Sequence, residues 1–140
     1  LGEDEQDILD ISRRWANDQR FRVGVQQLAG TLSPELAGAA YSDIAEAVLG
    51  ELPTRIQRIF ADQHGQIAGA EFAIVALGRL GSREMTASSD LDLIFIYEAP
   101  EGSEQSDGAR PLTPGHYYAR LMQRIVGALS SPTNEGTLYE

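Results

Sequence analysis

Two apolar runs separated by a short polar segment constrain the fold of this chain more than any other feature. Residues 72–77 read FAIVAL and residues 93–97 read LIFIY, and both have the length and composition of buried β-strands. The segment between them contains Gly78-Arg79-Leu80-Gly81-Ser82 and ends in Asp90-Leu91-Asp92. We therefore expect two neighbouring strands, the second running from Asp90 to Tyr97 with two aspartates at its start.

Asp90 and Asp92 are the first candidate site. Side chains two residues apart on a strand point to the same face, so these carboxylates should lie side by side. Two close carboxylates repel each other, and burying either one without a partner is costly. A divalent cation removes both problems, and Mg2+ prefers carboxylate oxygen. The spacing therefore predicts a magnesium site, with a purely structural aspartate pair as the alternative.

The glycine-rich segment from Gly78 to Ser82 predicts a phosphate site. Glycine permits a tight turn and the close approach of a ligand, and backbone N–H groups beyond a strand can bind phosphate oxygens. Arg79 and Arg83 either assist with phosphate charge or lie on the surface. The spacing Gly78-x-x-Gly81 does not match the dinucleotide fingerprint G-x-G-x-x-G. Phosphates beside a magnesium-binding carboxylate pair indicate a nucleoside triphosphate.

Composition narrows the class of protein. The 140 residues contain no cysteine, which excludes disulfides and zinc-thiolate sites and is compatible with a cytoplasmic location. A net charge of −10 argues against nucleic acid as a partner. We expect no signal peptide, because the first ten residues are acidic, and no membrane span, because no apolar run is long enough.

The first 68 residues predict helices. The apolar residues of the first helix are spaced to share one buried face: Ile8, Ile11, Trp15, Phe21, Val25 and Leu28. Gly30 should end this helix. Ser33-Pro34 should begin a short helix, and a further helix should run from Ser42 to His64. Its periodicity continues through Pro53, which predicts either a kinked helix or two abutting helices.

The last part of the chain predicts one further helix. Residues 99–111 have the composition of a mobile loop. Pro114–Leu129 should be amphipathic, with Tyr117, Leu121 and Ile125 buried. Asn134-Glu135-Gly136 should turn the chain into a strand that starts at Leu138. His64 and His116 have no ligand or base partner at a suitable spacing, so both are expected on the surface.

Two blocks, LGRLGSREMTASSDLDLIF and YYARLMQRIVGALSSPTNEGTLYE, resemble bacterial glutamine-synthetase adenylyltransferase in their order and spacing. This family belongs to the polymerase-β-like nucleotidyltransferases and has two homologous halves; GTLYE is closer to the AMP-adding C-terminal half than to the half that removes AMP. The resemblance implies an α+β fold, with N-terminal helices over residues 1–68 and a partial nucleotidyltransferase core of mixed sheet and packed helices over 69–140. In the family a third aspartate follows two residues beyond the position of Glu140, so the core should be incomplete at its C-terminus.

The resemblance also implies roles for individual residues. Asp90 and Asp92 would be catalytic and would share two Mg2+ ions, with Mn2+ as an alternative metal. The ATP-binding residues would be Gly81, Ser82, Arg79, Arg83 and Ser89. The expected reaction moves AMP from ATP to a tyrosine of glutamine synthetase under control of a PII-type signalling protein, with low activity while the third aspartate is lacking. The alternatives are a nucleotidyltransferase with a small-molecule acceptor and a non-catalytic docking module.

Overall fold

The computed structural model of the chain describes residues 3–132 and 136–139. It contains the elements α1 (Glu3–Leu28), α2 (Pro34–His64), β1 (Glu71–Ala76), α3 (Gly78–Gly81), β2 (Leu93–Glu98) and α4 (Pro114–Ser130). This architecture confirms the predicted α+β class. None of the helices within the described residues is long and apolar enough to cross a membrane.

The sheet consists of β1 and β2, which pair antiparallel from Glu71 opposite Glu98 to Ala76 opposite Leu93. One face packs against the core through partly buried residues of both strands, and the other face is exposed. The expected mixed sheet does not occur among the described residues, whose sheet has these two strands. β1 begins and ends one residue earlier than the sequence predicts.

α2 is one continuous helix, so the predicted short helix at Ser33-Pro34 and the division at Ser42 were wrong. The Ser33 side chain accepts a hydrogen bond from Leu36 N and caps the helix, and Gly65 terminates it with φ +72°. Pro53 lies inside the helix and is buried. Burial on both sides of Pro53 keeps the helix continuous at the cost of one backbone hydrogen bond.

α1 buries the opposite face from the one predicted. Leu9, Ala16 and Val23 are buried, whereas the predicted stripe is largely exposed, with Ile11 at 65%, Trp15 at 42%, Phe21 at 73%, Val25 at 47% and Leu28 at 92%. The physical reason lies in two arginines, because each satisfies carbonyl groups near the C-terminal end of the chain. Arg13 is fully buried and donates to Ala128 O and Ser131 O, both at 3.1 Å. Arg20 donates to Leu138 O at 2.5 Å and its guanidinium lies 4.2 Å from the centre of the Tyr139 ring.

α4 confirms the prediction for the last helix. Tyr117, Leu121 and Ile125 are buried against α2 and the sheet, at 2%, 1% and 0% exposure. The helix begins at Pro114 and extends one residue beyond the predicted end. Burial raises the pKa of the Tyr117 phenol, whose hydroxyl donates to Gly65 O at 2.9 Å.

The segment between β2 and α4 is a loop, as predicted, and hydrogen bonds hold it to the end of α2. Asp107 Oδ1 accepts from Gln66 N at 2.7 Å, and Gly108 N donates to His64 O at 3.2 Å. His64 is buried, its Nδ1 lies 2.7 Å from Arg110 O, and its ring packs against Phe60. The prediction that His64 lies on the surface was therefore wrong.

His116, in contrast, is exposed as predicted. Near the C-terminal end, Leu138 and Tyr139 are buried but do not form a strand. The predicted turn at Asn134-Glu135 and the expected strand residue Glu140 lie outside the described residues.

Candidate functional site

The glycine-rich segment folds into a single helical turn directly after β1. Gly81 N donates to Leu77 O at 3.1 Å, and Ser82 N donates to Gly78 O at 3.0 Å. The Leu80 side chain, 3% exposed, anchors this turn in the core. We refer to residues 78–82 as the Gly78–Ser82 turn.

The two aspartates lie in an extended segment just before β2. The strand itself begins at Leu93, so the prediction that it starts at Asp90 was wrong. The reason is that β1 has no further residue to pair, because the chain turns away into α3 after Leu77. One hydrogen bond still extends the pairing, from Leu77 N to Asp92 O at 2.8 Å. The alternation of exposure also continues: Asp90 and Asp92 are exposed, whereas Leu91 between them packs against the core.

Gly78 brings the turn and Asp92 together. Its φ of +56° is a conformation that glycine adopts without strain. A Cβ atom at this position would collide with Asp92 Oδ2 and would lie 3.3 Å from Asp92 Cγ. The absence of a side chain at residue 78 therefore lets the Asp92 carboxylate lie directly against the Gly78–Ser82 turn.

Gly81 is also constrained by its surroundings. A Cβ atom on Gly81 would lie 3.0 Å from Ala76 O, which is tighter than an ordinary contact. The side chain of Ser82 is exposed, and its Oγ lies 3.3 Å from Glu84 Oε2. A bare glycine followed by a serine hydroxyl thus stands at the exposed end of the turn, which is where a phosphate group can approach the backbone.

Ser89 and Arg79 occupy different surroundings. Ser89 Oγ accepts a hydrogen bond from Thr86 N at 2.8 Å, so this side chain closes a turn immediately before Asp90. Arg79 is exposed, and its guanidinium has no hydrogen-bond or ion-pair partner in the part of the chain that the structure describes. Of the two predicted arginines, Arg79 is the one whose charge is available to a ligand.

Arg83 is engaged with α2. Its Nη1 donates to Glu46 Oε1 and its Nη2 to Asp43 Oδ1. The hydrogen bond to Asp43 is the main cause that raises the pKa of Arg83 above its ordinary value. Sequence reasoning did not single out Asp43 and Glu46, although two acidic residues three positions apart share one face of a helix and can bind one cation.

The donor set at Asp90 and Asp92 fits a hard divalent cation in part. Within residues 3–132 and 136–139 neither carboxylate has a hydrogen-bond or ion-pair partner, so all four oxygens are available to a ligand. Mg2+ takes one or two protein carboxylates together with substrate phosphates and water. The same residues contain no group of three or more metal-binding side chains.

Comparison with known proteins identifies the family. The sequence model of glutamate-ammonia ligase adenylyltransferase matches residues 2–140, and the chain belongs to this family. The chain is 45% identical over 135 residues, 96% of its length, to the bifunctional glutamine synthetase adenylyltransferase/adenylyl-removing enzyme of Mesorhizobium japonicum. Identity to the enzyme of the same name is 44% over 98% of the chain in Brucella suis and 47% over 97% in Xanthobacter autotrophicus. The chain spans 14% of the length of each of these relatives.

Proposed function

We propose that this chain forms part of the site at which AMP is transferred from ATP to a tyrosine hydroxyl of glutamine synthetase. The observation that carries the proposal is the close approach of the Asp92 carboxylate to Gly78, the first residue of the Gly78–Ser82 turn. The names of the relatives support the acceptor, because each is called a glutamine synthetase adenylyltransferase. Neither a small-molecule acceptor nor a non-catalytic docking role has such support.

Each proposed residue has a role that its position allows. Gly81 and Ser82 would contact the β- and γ-phosphates of ATP, with the Ser82 hydroxyl as donor and the missing side chain of Gly81 allowing close approach. Arg79 would neutralise part of the phosphate charge, and Ser89 would fix the backbone entering Asp90. Asp90 and Asp92 would hold Mg2+, which when bound lowers the pKa of an attacking hydroxyl and neutralises a leaving pyrophosphate.

The chemistry is a phosphoryl-group substitution. The tyrosine hydroxyl of the acceptor attacks the α-phosphorus in line and releases its proton to solvent, a phosphodiester forms, and the bond between the α-phosphorus and pyrophosphate breaks. The contribution of this chain is to hold the triphosphate in one orientation, so that the leaving group points away from the acceptor. The proposal also includes a polymerase-β-like core, two metal ions with Mn2+ as a substitute, a cytoplasmic location and a PII-type regulator.

Calorimetric titration of MgATP into the chain tests this function. We expect binding that is lost with EDTA and lost in Asp92→Asn, but unchanged in Asp62→Asn, an exposed aspartate near the C-terminal end of α2. In the full-length protein, Asp92→Asn should abolish AMP transfer to glutamine synthetase, and Asp62→Asn should preserve it. Transfer that persists at the wild-type rate in full-length Asp92→Asn would contradict the proposal.

A further inference from the structure

Arg83 combines a long side chain with a left-handed backbone conformation. It is the one non-glycine residue with positive φ among the described residues, at 60°. L-residues with side chains rarely adopt this conformation, and it persists where surrounding contacts impose it. A strained residue directly after the Gly78–Ser82 turn therefore requires contacts that hold it there.

Part of that constraint comes from the turn's own carbonyl groups, and part comes from α2. The Arg83 guanidinium binds Asp43 and Glu46 simultaneously, with one nitrogen on each carboxylate. The backbone is held as well, because Gly38 of α2 approaches it closely: a Cβ on Gly38 would lie 3.4 Å from Glu84 Cα and 3.5 Å from Arg83 O. Side-chain and backbone contacts thus fix the same short segment against one helix.

This segment also closes the Gly78–Ser82 turn. Arg83 N donates to Leu80 O at 3.0 Å and Glu84 N donates to Arg79 O at 2.8 Å. The two hydrogen bonds require the backbone after Ser82 to curl back over the turn, which the positive φ of Arg83 makes possible. Holding Arg83 on α2 therefore holds Gly81 and Ser82 in place.

We propose that Arg83 is a positioning residue that docks the Gly78–Ser82 turn on α2 through Asp43 and Glu46, and is not a ligand of the phosphates. Asp43 and Glu46 become part of the functional unit on this inference, although both lie far from the turn in sequence. The inference rests on the proposed function only where it concerns the effect of Arg83 on nucleotide binding. The docking itself can be measured without any ligand.

Two opposite expectations separate positioning from phosphate binding. If Arg83 positions the turn, removing its partners in Asp43→Asn/Glu46→Gln weakens ATP binding as much as Arg83→Ala does. If Arg83 binds phosphate, removing those partners frees the guanidinium, and ATP binding is unchanged or tighter. Arg55→Ala is the matched control, because Arg55 forms a surface ion pair with Glu51 on the same helix, at 3.5 Å.

The ligand-free experiment is amide hydrogen exchange of Gly81, Ser82 and Glu84 in this chain. We expect Arg83→Ala and Asp43→Asn/Glu46→Gln each to speed exchange at these amides roughly twofold to fivefold, the range set by one or two exposed ion pairs. The combined triple variant should be no faster than either, and Arg55→Ala should leave these amides unchanged. Amide exchange should be slower in Arg83→Gly than in Arg83→Ala, because glycine accepts the positive φ without strain.

The activity experiment measures KM for ATP and kcat for AMP transfer in the full-length protein. Positioning predicts a similar rise in KM for Arg83→Ala and Asp43→Asn/Glu46→Gln, with no further rise when they are combined. Unchanged or tighter ATP binding in Asp43→Asn/Glu46→Gln beside weaker binding in Arg83→Ala would overturn the inference, as would unaltered exchange in all variants. Absence of transfer in the wild-type protein would refute the proposed function instead, while the exchange data would still decide the role of Arg83.

Discussion

Replacing Gly78 by alanine tests the contact that joins the two halves of the candidate site. The backbone term is about 1–2 kcal/mol, the cost of a left-handed conformation for a residue with a Cβ. The new Cβ also meets Asp92 Oδ2, so the carboxylate must leave its position at a further ~0.5–1.5 kcal/mol. We therefore expect Gly78→Ala to lower the free energy of unfolding by about 1.5–3.5 kcal/mol.

A double-mutant cycle separates the two terms. In Asp92→Ala the clashing oxygen is gone, and the remaining Cβ atom of residue 92 lies 3.5 Å from the new Cβ, an ordinary contact. Gly78→Ala should then cost only the backbone term of about 1–2 kcal/mol, which leaves a coupling of about 0.5–1.5 kcal/mol between the two sites. Gly30→Ala is the control, because Gly30 also has positive φ, at +71°, but a Cβ there meets nothing within 4 Å.

Urea unfolding at neutral pH without divalent cations measures these values. Equal costs of Gly78→Ala in the wild-type and Asp92→Ala backgrounds would refute the reasoning, since they would show that the Asp92 carboxylate does not lie against Gly78. A Gly30→Ala cost as large as that of Gly78→Ala in the wild type would refute it too, because the backbone term alone would then explain both.

Three further predictions concern the core. Burial raises the pKa of the Tyr118 phenol, so the folded protein keeps a proton that the unfolded chain loses near pH ~10. The contribution of Tyr118 to stability should therefore be complete below that pH and fall above it. Tyr118→Phe should reduce the decrease in the urea midpoint between neutral and alkaline pH. Arg124→Met removes the partner of the buried Glu5 carboxylate and should cost about 3 kcal/mol in urea unfolding; adding Glu5→Gln should recover most of that loss, and no recovery would exclude an unpaired charge as the cause. Ile125→Ala, at a residue 0% exposed, should cost about 2–5 kcal/mol; thermal melts should show a much smaller change for the exposed Val126→Ala, and similar shifts for both would contradict the core assignment.

The parts of the fold that could be predicted are those in which one interpretation of the pattern dominates. α4 has apolar residues on one side and polar residues on the other, so its buried face follows from spacing alone. β1 and β2 are short apolar runs, and their pairing follows from their being consecutive strands, which usually lie side by side. The position of Gly78 beside Asp92 follows from that same pairing.

α1 could not be predicted in this way, because it is apolar on two opposite sides. Its choice of face depends on Arg13 and Arg20 reaching carbonyl groups of residues 128, 131 and 138, and no local pattern reveals a contact over such a separation. The burial of His64 has a similar origin, since its partner is the carbonyl of Arg110 in a distant loop. The partners of Arg83 were missed for the same reason.

The arginine contacts of α1 also have a consequence for the timing of synthesis. Arg13 lies 115 residues before Ala128, and Arg20 lies 118 residues before Leu138, so each side chain is made long before its acceptor. At about 5–20 residues per second, the interval is on the order of 6–24 s. During that interval α2, the element that packs along α1, has already been made, so what waits for the last residues is the pairing of the two guanidinium groups rather than the burial of an apolar face.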